Sequence, residues 1–441
     1  MEFKQIKQTI DEICADRGLK DYKLVFSRGS ELSASACGRE ITETAIGVSS
    51  VLTLTAVINE HGGSASTNLF DRENLERMVD MAIDNASHLE GTNKCRIFAG
   101  SPSYGKTSNP AYAEPAMKDI IAKTLEIQNQ MLDADARVQS GSETQVGCES
   151  SVLFLANSKG LCLENRTGYT LYYQSAVVKD GDDVKLAYDY KVQDLDKIKL
   201  DKCVSEAISK LGARPTQTRQ APAVFSSDCM RQMLGAFIQV FFGRNAYLGL
   251  SLLKDREGQM IASECVNLID DPFESSGVAQ IQFDADGVAT YRKEIVKSGE
   301  LKTLLYNLSS AEECGKQTTG NSGPFLGSSG TMVFSLYLDK GNCSKDELYA
   351  QAGNGVYIQE MKGLHAGANP NSGDFSIECA GFEIVDGKLD HPIKSFTISG
   401  NFYDLLNKVK ALSDEVEFSP PHGFSRFGAP EVLVESISIG A

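Results

Sequence analysis

Histidine is scarce in this sequence: five residues in 441, at His61, His88, His365, His391 and His422. No two stand within five positions of each other, so neither His-Glu-x-x-His nor His-Glu-x-x-x-His can be written anywhere in the chain. A zinc site drawn from distant residues stays open, although catalytic zinc usually takes two ligands from one short segment. Cys-x-x-Cys is absent as well. The 11 cysteines are scattered from Cys14 to Cys379, which reads as free thiols in a reducing compartment, most of them small apolar fillers. The Gly-x-Ser-x-Gly elbow of serine hydrolases does not occur. No run of Lys or Arg interrupts a formal net charge of -16, so a phosphate backbone would be repelled and nucleic acid is not an expected partner. No apolar run is long enough to span a membrane, and "MEFKQIKQTIDEICADRG" mixes acids and lysines where a secretory signal needs an unbroken apolar core. A cytoplasmic protein is expected.

What is present is a soluble globular composition, 41 % hydrophobic and 23 % charged. The expected fold class is α+β in two domains. Residues 1–213 form an α/β domain with antiparallel strands and helices, 214–222 a polar linker around "TQTRQAP", and 223–441 a β-rich domain with few helices. Helical spacing marks the first 20 residues, 71–90, 114–134, 201–215 and 226–243; in the last, Met230, Met233, Leu234, Phe237, Ile238 and Phe241 make one stripe. Between these the pattern is short alternating strands punctuated by glycine, and after residue 243 only "NFYDLLNKVKALSD" breaks it with a helical period. "DADG" at 284–287, "GSPSYGKTSNP" at 100–110 and "GPFLGSSGTMVF" superficially suggest calcium, phosphate or nucleophile loops. Each lacks the full ligand spacing and reads as a turn.

The densest stretch is "GLHAGANPNSGDF" at 363–375, with His365, Asn369 and Asp374 among three glycines. Taken in order, "FDADGVATYRKEIVKSGELKTLLYNLSSAEECGKQTTGNSG", "GVYIQEMKGLHAGANPNSGDFSIECAGFEIVDGKLDHPIKSFTISGN" and "APEVLVESISIGA" resemble the C-terminal domain of the TldD/PmbA family, also called modulators of DNA gyrase. "ITETAIGVSSVLTLTAVINEHGGSAST" and "YDYKV" leading to "KLGARP" resemble its first domain more loosely.

That resemblance implies a cytoplasmic, two-subunit zinc metalloprotease system that processes or degrades peptides. In the TldD type a helix bears His-Glu-x-x-x-His. Here Gly235, Ala236 and Val240 stand at the corresponding positions, and the tail "SPPHGFSRFGAPEVLVESISIGA" lacks the further cysteine ligand. The chain is thus similar to the PmbA/TldE type: no zinc or other cofactor of its own, no catalytic residue, and no hydrolysis alone. The implied partners are a zinc-bearing TldD-like subunit (heterodimer) or a second copy (homodimer), together with an unfolded or extended peptide. His365, Asn369, Asp374 and Asn401 are the substrate-pocket candidates. A stand-alone scaffold or regulator of the gyrase-modulator kind is the alternative, and a hydrolase with an unrecognised triad a third.

Overall fold

The computed structural model describes residues 2–88, 95–108, 112–324 and 330–441. Residues 109–110 of the "GSPSYGKTSNP" stretch and 325–329 of "GPFLGSSGTMVF" lie outside them.

The first half is one antiparallel sheet of six strands, β1 (Asp21–Cys37), β2 (Glu40–Ile58), β3 (His61–Thr67), β4 (Glu143–Asn157), β5 (Cys162–Asp180) and β6 (Asp183–Val192), in the order β3-β2-β1-β4-β5-β6. One face is covered by helices. Leu24, Phe26, Leu52 and Leu54 pack under α1 (Phe3–Asp16) and α2 (Arg72–His88). Ala34, Val146 and Tyr172 pack under α3 (Met117–Ala134), and Ala176, Val178 and Ala187 under α4 (Cys203–Ser209). Because side chains alternate along a strand, Val25, Leu153 and Leu155 point the other way. There they meet Ile281, Phe283 and Phe334 of the second half, which joins the halves through apolar packing.

The second half begins at β7 (Arg219–Phe225), so residues 219–222, expected to be linker, are strand. "RQAPAVF" tolerates its proline at a strand position and buries Ala221, Ala223, Val224 and Phe225. β7 pairs in parallel with Gly355–Lys362 and antiparallel with Val432–Gly440. The sheet continues through Asp374–Val385 to Lys388–Asn401, which pairs back onto Val432–Gly440, so five strands close on themselves. A second six-stranded sheet, with Leu268–Asp270, Ser335–Leu338 and Arg426–Ala429 at its centre, packs beside it.

Three expectations change. The first-half strands are long, up to 19 residues, because Gly29 and Gly47 lie inside them in ordinary extended pairing rather than ending them. The 401–414 helix stops at Asn407, and Val409–Leu412 joins the sheet as a strand. The second half holds further helices, including Lys345–Ala352, whose start is fixed by Ser344 and Glu347 capping each other's backbone.

The "DADG" turn is the polar part of the joint between halves. Asp284 Oδ1 accepts from the Asp286 and Val288 amides (2.9 and 3.0 Å) and Oδ2 from the Ser322 amide (2.9 Å), so both of its oxygens are engaged by backbone. The first half then grips this turn. Lys23 Nζ donates to the Ala285 carbonyl (2.7 Å), Tyr104 Oη to the Gly287 carbonyl (2.8 Å), and Ser101 Oγ accepts from the Ala289 amide (2.9 Å).

Two predictions follow from these contacts. A Cβ at Gly63 would overlap the Ala86 amide of α2, whereas one at Gly47 would lie 3.8 Å from Glu31 Cβ. Gly63→Ala should therefore cost about 1–3 kcal/mol in urea unfolding and Gly47→Ala close to nothing; equal losses would refute this packing. Burial, and next the neighbouring Asp286, push the Asp284 carboxyl up to about 7. Below about pH 4 it is neutral in folded and unfolded chains alike; between there and pH 7 only the unfolded chain ionises, so stability falls as pH rises. Asp284→Asn should flatten that part of the pH profile, and an unchanged slope would exclude Asp284 as its source.

Candidate functional site

The chain leaves β7 directly into α5 (Ser227–Phe237), and Ser226 fixes the exit. Its Oγ accepts from the Cys229 amide (3.2 Å) as the helix cap, while its amide donates to the Ile358 carbonyl (3.0 Å) and its Oγ to the Gln359 carbonyl (3.1 Å). The cap thereby ties the helix start to the neighbouring strand. Met230, Met233, Leu234 and Phe237 are buried in the main core, as their spacing predicts. Asp228, Arg231 and Gly235, at three- and four-residue intervals, share the other face.

Gly235 and Ala236 are half-buried on α5; Val240 lies past its end, in the tighter turn Ile238–Phe241, and is 1 % exposed within the core. A Cβ at Gly235 would meet only the Phe427 ring, 3.8 Å away. These residues do not fit a zinc ion: none carries a lone-pair donor on its side chain, and Val240 is packed among apolar neighbours. Among the described residues no three His, Cys, Asp or Glu side chains form a group that could hold a metal.

The face of α5 that carries Asp228 and Arg231 opens into a cleft of about 410 Å³, walled on the far side by Tyr188 and Tyr190 of β6. Asp228 organises it. Its carboxylate accepts from Arg231 Nη2 (2.7 Å), Gln232 Nε2 (2.8 Å) and Tyr190 Oη (3.4 Å), a bridge between the two halves. Arg231 is only 9 % exposed, and its Nε has no hydrogen-bond partner among the described residues. A buried guanidinium N–H without an acceptor is costly unless a ligand or water supplies one. Deeper in, Glu431 (1 % exposed) takes Lys345 Nζ at 2.9 Å and Tyr357 Oη at 3.3 Å. Burial raises the Asp189 carboxyl above its ordinary range, with Lys191 and the Tyr172 hydroxyl opposing. A larger cavity, about 1050 Å³, lies between β2–β3 and residues 307–318, away from α5. Its basic groups are already paired: Lys23 with Asp286, Arg96 with Glu60, Arg244 with Glu313 and Lys316 with Glu257.

Three of the four pocket candidates come together, but as a structural knot. Asn369 Oδ1 accepts from the Asn371 amide (3.1 Å), and the Asn369 amide donates to the Asp374 carbonyl (2.8 Å). Asn401 Nδ2 donates to Asp374 Oδ1 and to the Ser372 carbonyl (2.9 Å each), while its Oδ1 caps the next helix at the Tyr403 amide. Hydrogen bonds from the Asn401 side chain, first, and the Ser372 side chain, next, hold the exposed Asp374 carboxyl below the usual range. Gly373 is obligatory here, at φ +83° with a Cβ position only 2.6 Å from the edge of the Tyr403 ring. His365 stands apart, exposed on the turn Leu364–Gly367 that packs against α5. None of the four lines the α5 cleft. Asp374 and Asn401 sit where the strands Asp374–Val385 and Lys388–Asn401 pair, so their carboxamide–carboxylate bond closes a hairpin end.

The other histidines are equally separate: His88 bonds back to the Asp84 carbonyl at the end of α2, and His391 Nδ1 lies 2.6 Å from Asp390. All 11 thiols are free; the filler role fits the five buried ones, while Cys162 is exposed. Sequence reasoning passed over Asp228, Arg231, Tyr188 and Tyr190. The polar face of α5 carried part of that signal, since an Asp and an Arg three apart stood opposite an otherwise apolar stripe. The tyrosines come from β6, and nothing local joins them to α5.

Comparison with known proteins places this geometry. Residues 112–214 match the PmbA/TldA metallopeptidase central domain and 218–441 the PmbA/TldA metallopeptidase C-terminal domain. A metalloprotease PmbA homolog of Buchnera aphidicola is 25 % identical over 80 % of this chain and 79 % of its own length. Metalloprotease PmbA of Escherichia coli O157:H7 is 22 % identical over 90 % of this chain and 88 % of its own. The fold matches TldE from Thermococcus kodakarensis with a TM-score of 0.90 at 20 % identity, covering 99 % of this chain and 100 % of that one. A proposed modulator of a DNA gyrase from Thermotoga maritima gives 0.88 at 24 %, covering both chains fully. No helix among the described residues is long and apolar enough to cross a membrane. The chain belongs to the PmbA/TldD metallopeptidase family.

Proposed function

We propose that this chain is the non-catalytic, TldE-type subunit of a two-subunit, cytoplasmic zinc peptidase system, and that it holds an extended peptide for a zinc-bearing TldD-like partner. The observation that carries this reading is the chemistry of the three motif positions. Gly235, Ala236 and Val240 offer zinc nothing, and the last is sealed into the core. Restoring a histidine at Val240 would place an imidazole among apolar side chains, so the difference is built into the packing as well as into the sequence.

The peptide-holding part rests on the cleft. Among the described residues β6 pairs with β5 alone along Asp183–Val192, which leaves its other edge, where Lys210 Nζ donates to the Leu186 carbonyl, facing the cleft at Tyr188 and Tyr190. An extended chain can add to such an edge through main-chain hydrogen bonds, whatever its side chains. Arg231 supplies a donor that a peptide carbonyl would satisfy, and Asp228 neutralises its charge. Neutral carbonyls suit that arrangement.

The purified chain should contain no stoichiometric zinc and leave peptides intact. Mixed with the TldD-like protein of its own organism, it should elute as a joint complex and support cleavage. Stoichiometric zinc with cleavage by the chain alone would end this reading. Arg231→Met should weaken binding of an unfolded peptide to the complex severalfold in fluorescence anisotropy while the complex still assembles. Unaltered affinity would remove Arg231 from the peptide site.

A further inference from the structure

The cleft read above as a peptide site leaves two of its carboxylates without a cation. Its own cations are all taken. Lys191 Nζ lies 2.7 Å from Asp201, Lys202 Nζ 3.1 Å from Glu206, Arg231 Nη2 2.7 Å from Asp228 and Lys345 Nζ 2.9 Å from Glu431, while Arg426 pairs with Glu274. Glu415 and Glu417 also line the cleft, and among the described residues the side chain of neither enters a hydrogen bond or an ion pair. Glu417 shares the field of Lys202, but that ammonium is held by Glu206.

The fold puts these two carboxylates beside the helix that carries Arg231. Glu417 and Phe418 are the end strand of the second six-stranded sheet, paired to Arg426–Ala429, and they pack on α5. Glu417 is half-buried, so it has given up part of its hydration without gaining a partner, and Glu415 next to it is exposed.

The lining says which cation fits. A metal ion would need a further donor, and among the described residues no three His, Cys, Asp or Glu side chains form such a group. An ammonium or guanidinium needs only a carboxylate and gains from aromatic faces. The cleft offers both. The Tyr188 and Tyr190 rings stand 6.1 Å apart on its far wall, and Arg426 already lies over the Phe418 ring, 4.4 Å from the centroid. The opposite signal sits in the same cleft: Arg231, 9 % exposed, has an Nε without an acceptor. A donor for a carbonyl together with two acceptors for a cation matches one kind of ligand, a basic peptide.

We propose that the cleft selects peptides that carry a cationic group, a Lys or Arg side chain or a free α-ammonium, which Glu415 and Glu417 take while Arg231 holds a backbone carbonyl. This rests on the peptide-holding reading and names its substrate class. The net charge of -16 also draws basic peptides from a distance, but salt screens that pull beyond about 8 Å, whereas the contact at Glu415 and Glu417 is local.

The test is fluorescence anisotropy at physiological salt, with the full chain alone and mixed with its TldD-like partner. Three peptides of glycine, serine and alanine, labelled at the C-terminus, carry two lysines, two glutamates or neither. The lysine peptide should bind about fivefold more tightly than the neutral one, the size that two partly exposed ion pairs supply, and the glutamate peptide most weakly. Glu415→Gln with Glu417→Gln should bring the lysine peptide down to the neutral one and leave the neutral one unchanged. Glu40→Gln with Glu43→Gln removes the same charge from β2, outside the cleft, and should keep the preference. Acetylating the amino terminus assigns the group: a preference that survives belongs to the side chain, and one that is lost belongs to the α-ammonium. Equal binding of the three peptides, a preference untouched by glutamine at 415 and 417, or one lost equally in the β2 variant would overturn the proposal and leave the peptide-holding reading standing. No binding of any peptide would overturn that reading and this proposal with it.

Discussion

Everything at the candidate site hangs on the exit of the chain from β7 into α5. β7 lies inside a closed set of strands, bonded in parallel on one side and antiparallel on the other, so its end cannot shift without breaking both ladders. Ser226 then spends its amide and hydroxyl on the adjacent strand and the helix start together. With the first residue of α5 pinned and its apolar stripe sunk in the core, the helix has no rotational freedom left. Gly235 and Asp228 face where they do because Met230, Met233 and Phe237 must face inward. In such a frame, function can be gained or lost at the exposed positions without moving the backbone, since the anchoring residues are a different set.

The same frame explains why Val240 differs in kind from Gly235. Gly235 looks onto open space bounded by one ring, so a side chain could be added there. Val240 is already part of the core, beyond the point where α5 tightens. A single-residue change opens or closes the first position; the second is held by the packing of Ile238 and Phe241 around it. At Val240 the lack of a donor is therefore a property of how the chain is packed just past the end of this helix.

Much of the architecture was legible, and the failures have physical causes. The α5 stripe, the two-half organisation and the family motifs in 355–401 are encoded by local spacing, which a sequence displays directly. Strand length was misjudged because Gly29 and Gly47 look like breaks; their extended conformation is imposed by flanking strands that locality does not reveal. The linker was drawn through β7 for a similar reason: "TQTRQAP" is polar and carries a proline, yet its second half is held by strands more than 130 residues away. At the site, Asn369, Asp374 and Asn401 did gather, but around their own backbone, as Asn and Asp commonly do at turns. The cleft residues come from β6, α5 and the 415–431 segment, and only the tertiary fold collects them.

One consequence joins the two halves. By closing five of its strands, the second half removes the edges of that set, a safe way to dispose of unpaired backbone, while its other six-stranded sheet stays open. The first half does not close: its six strands end at β2–β3 on one side and at β6 on the other. The free part of β2, which β3 leaves uncovered before Leu52, and the edge of β6 are separated by four inter-strand steps, roughly 19 Å at about 4.8 Å each. The β6 edge lies across the cleft from α5 and from Arg231, whose Nε has no partner among the described residues, while the free β2 edge carries no charged residue from Thr44 to Val51. A strand added at the first would leave the second in place, because the sheet that connects them is pinned along its middle by the Asp284 joint.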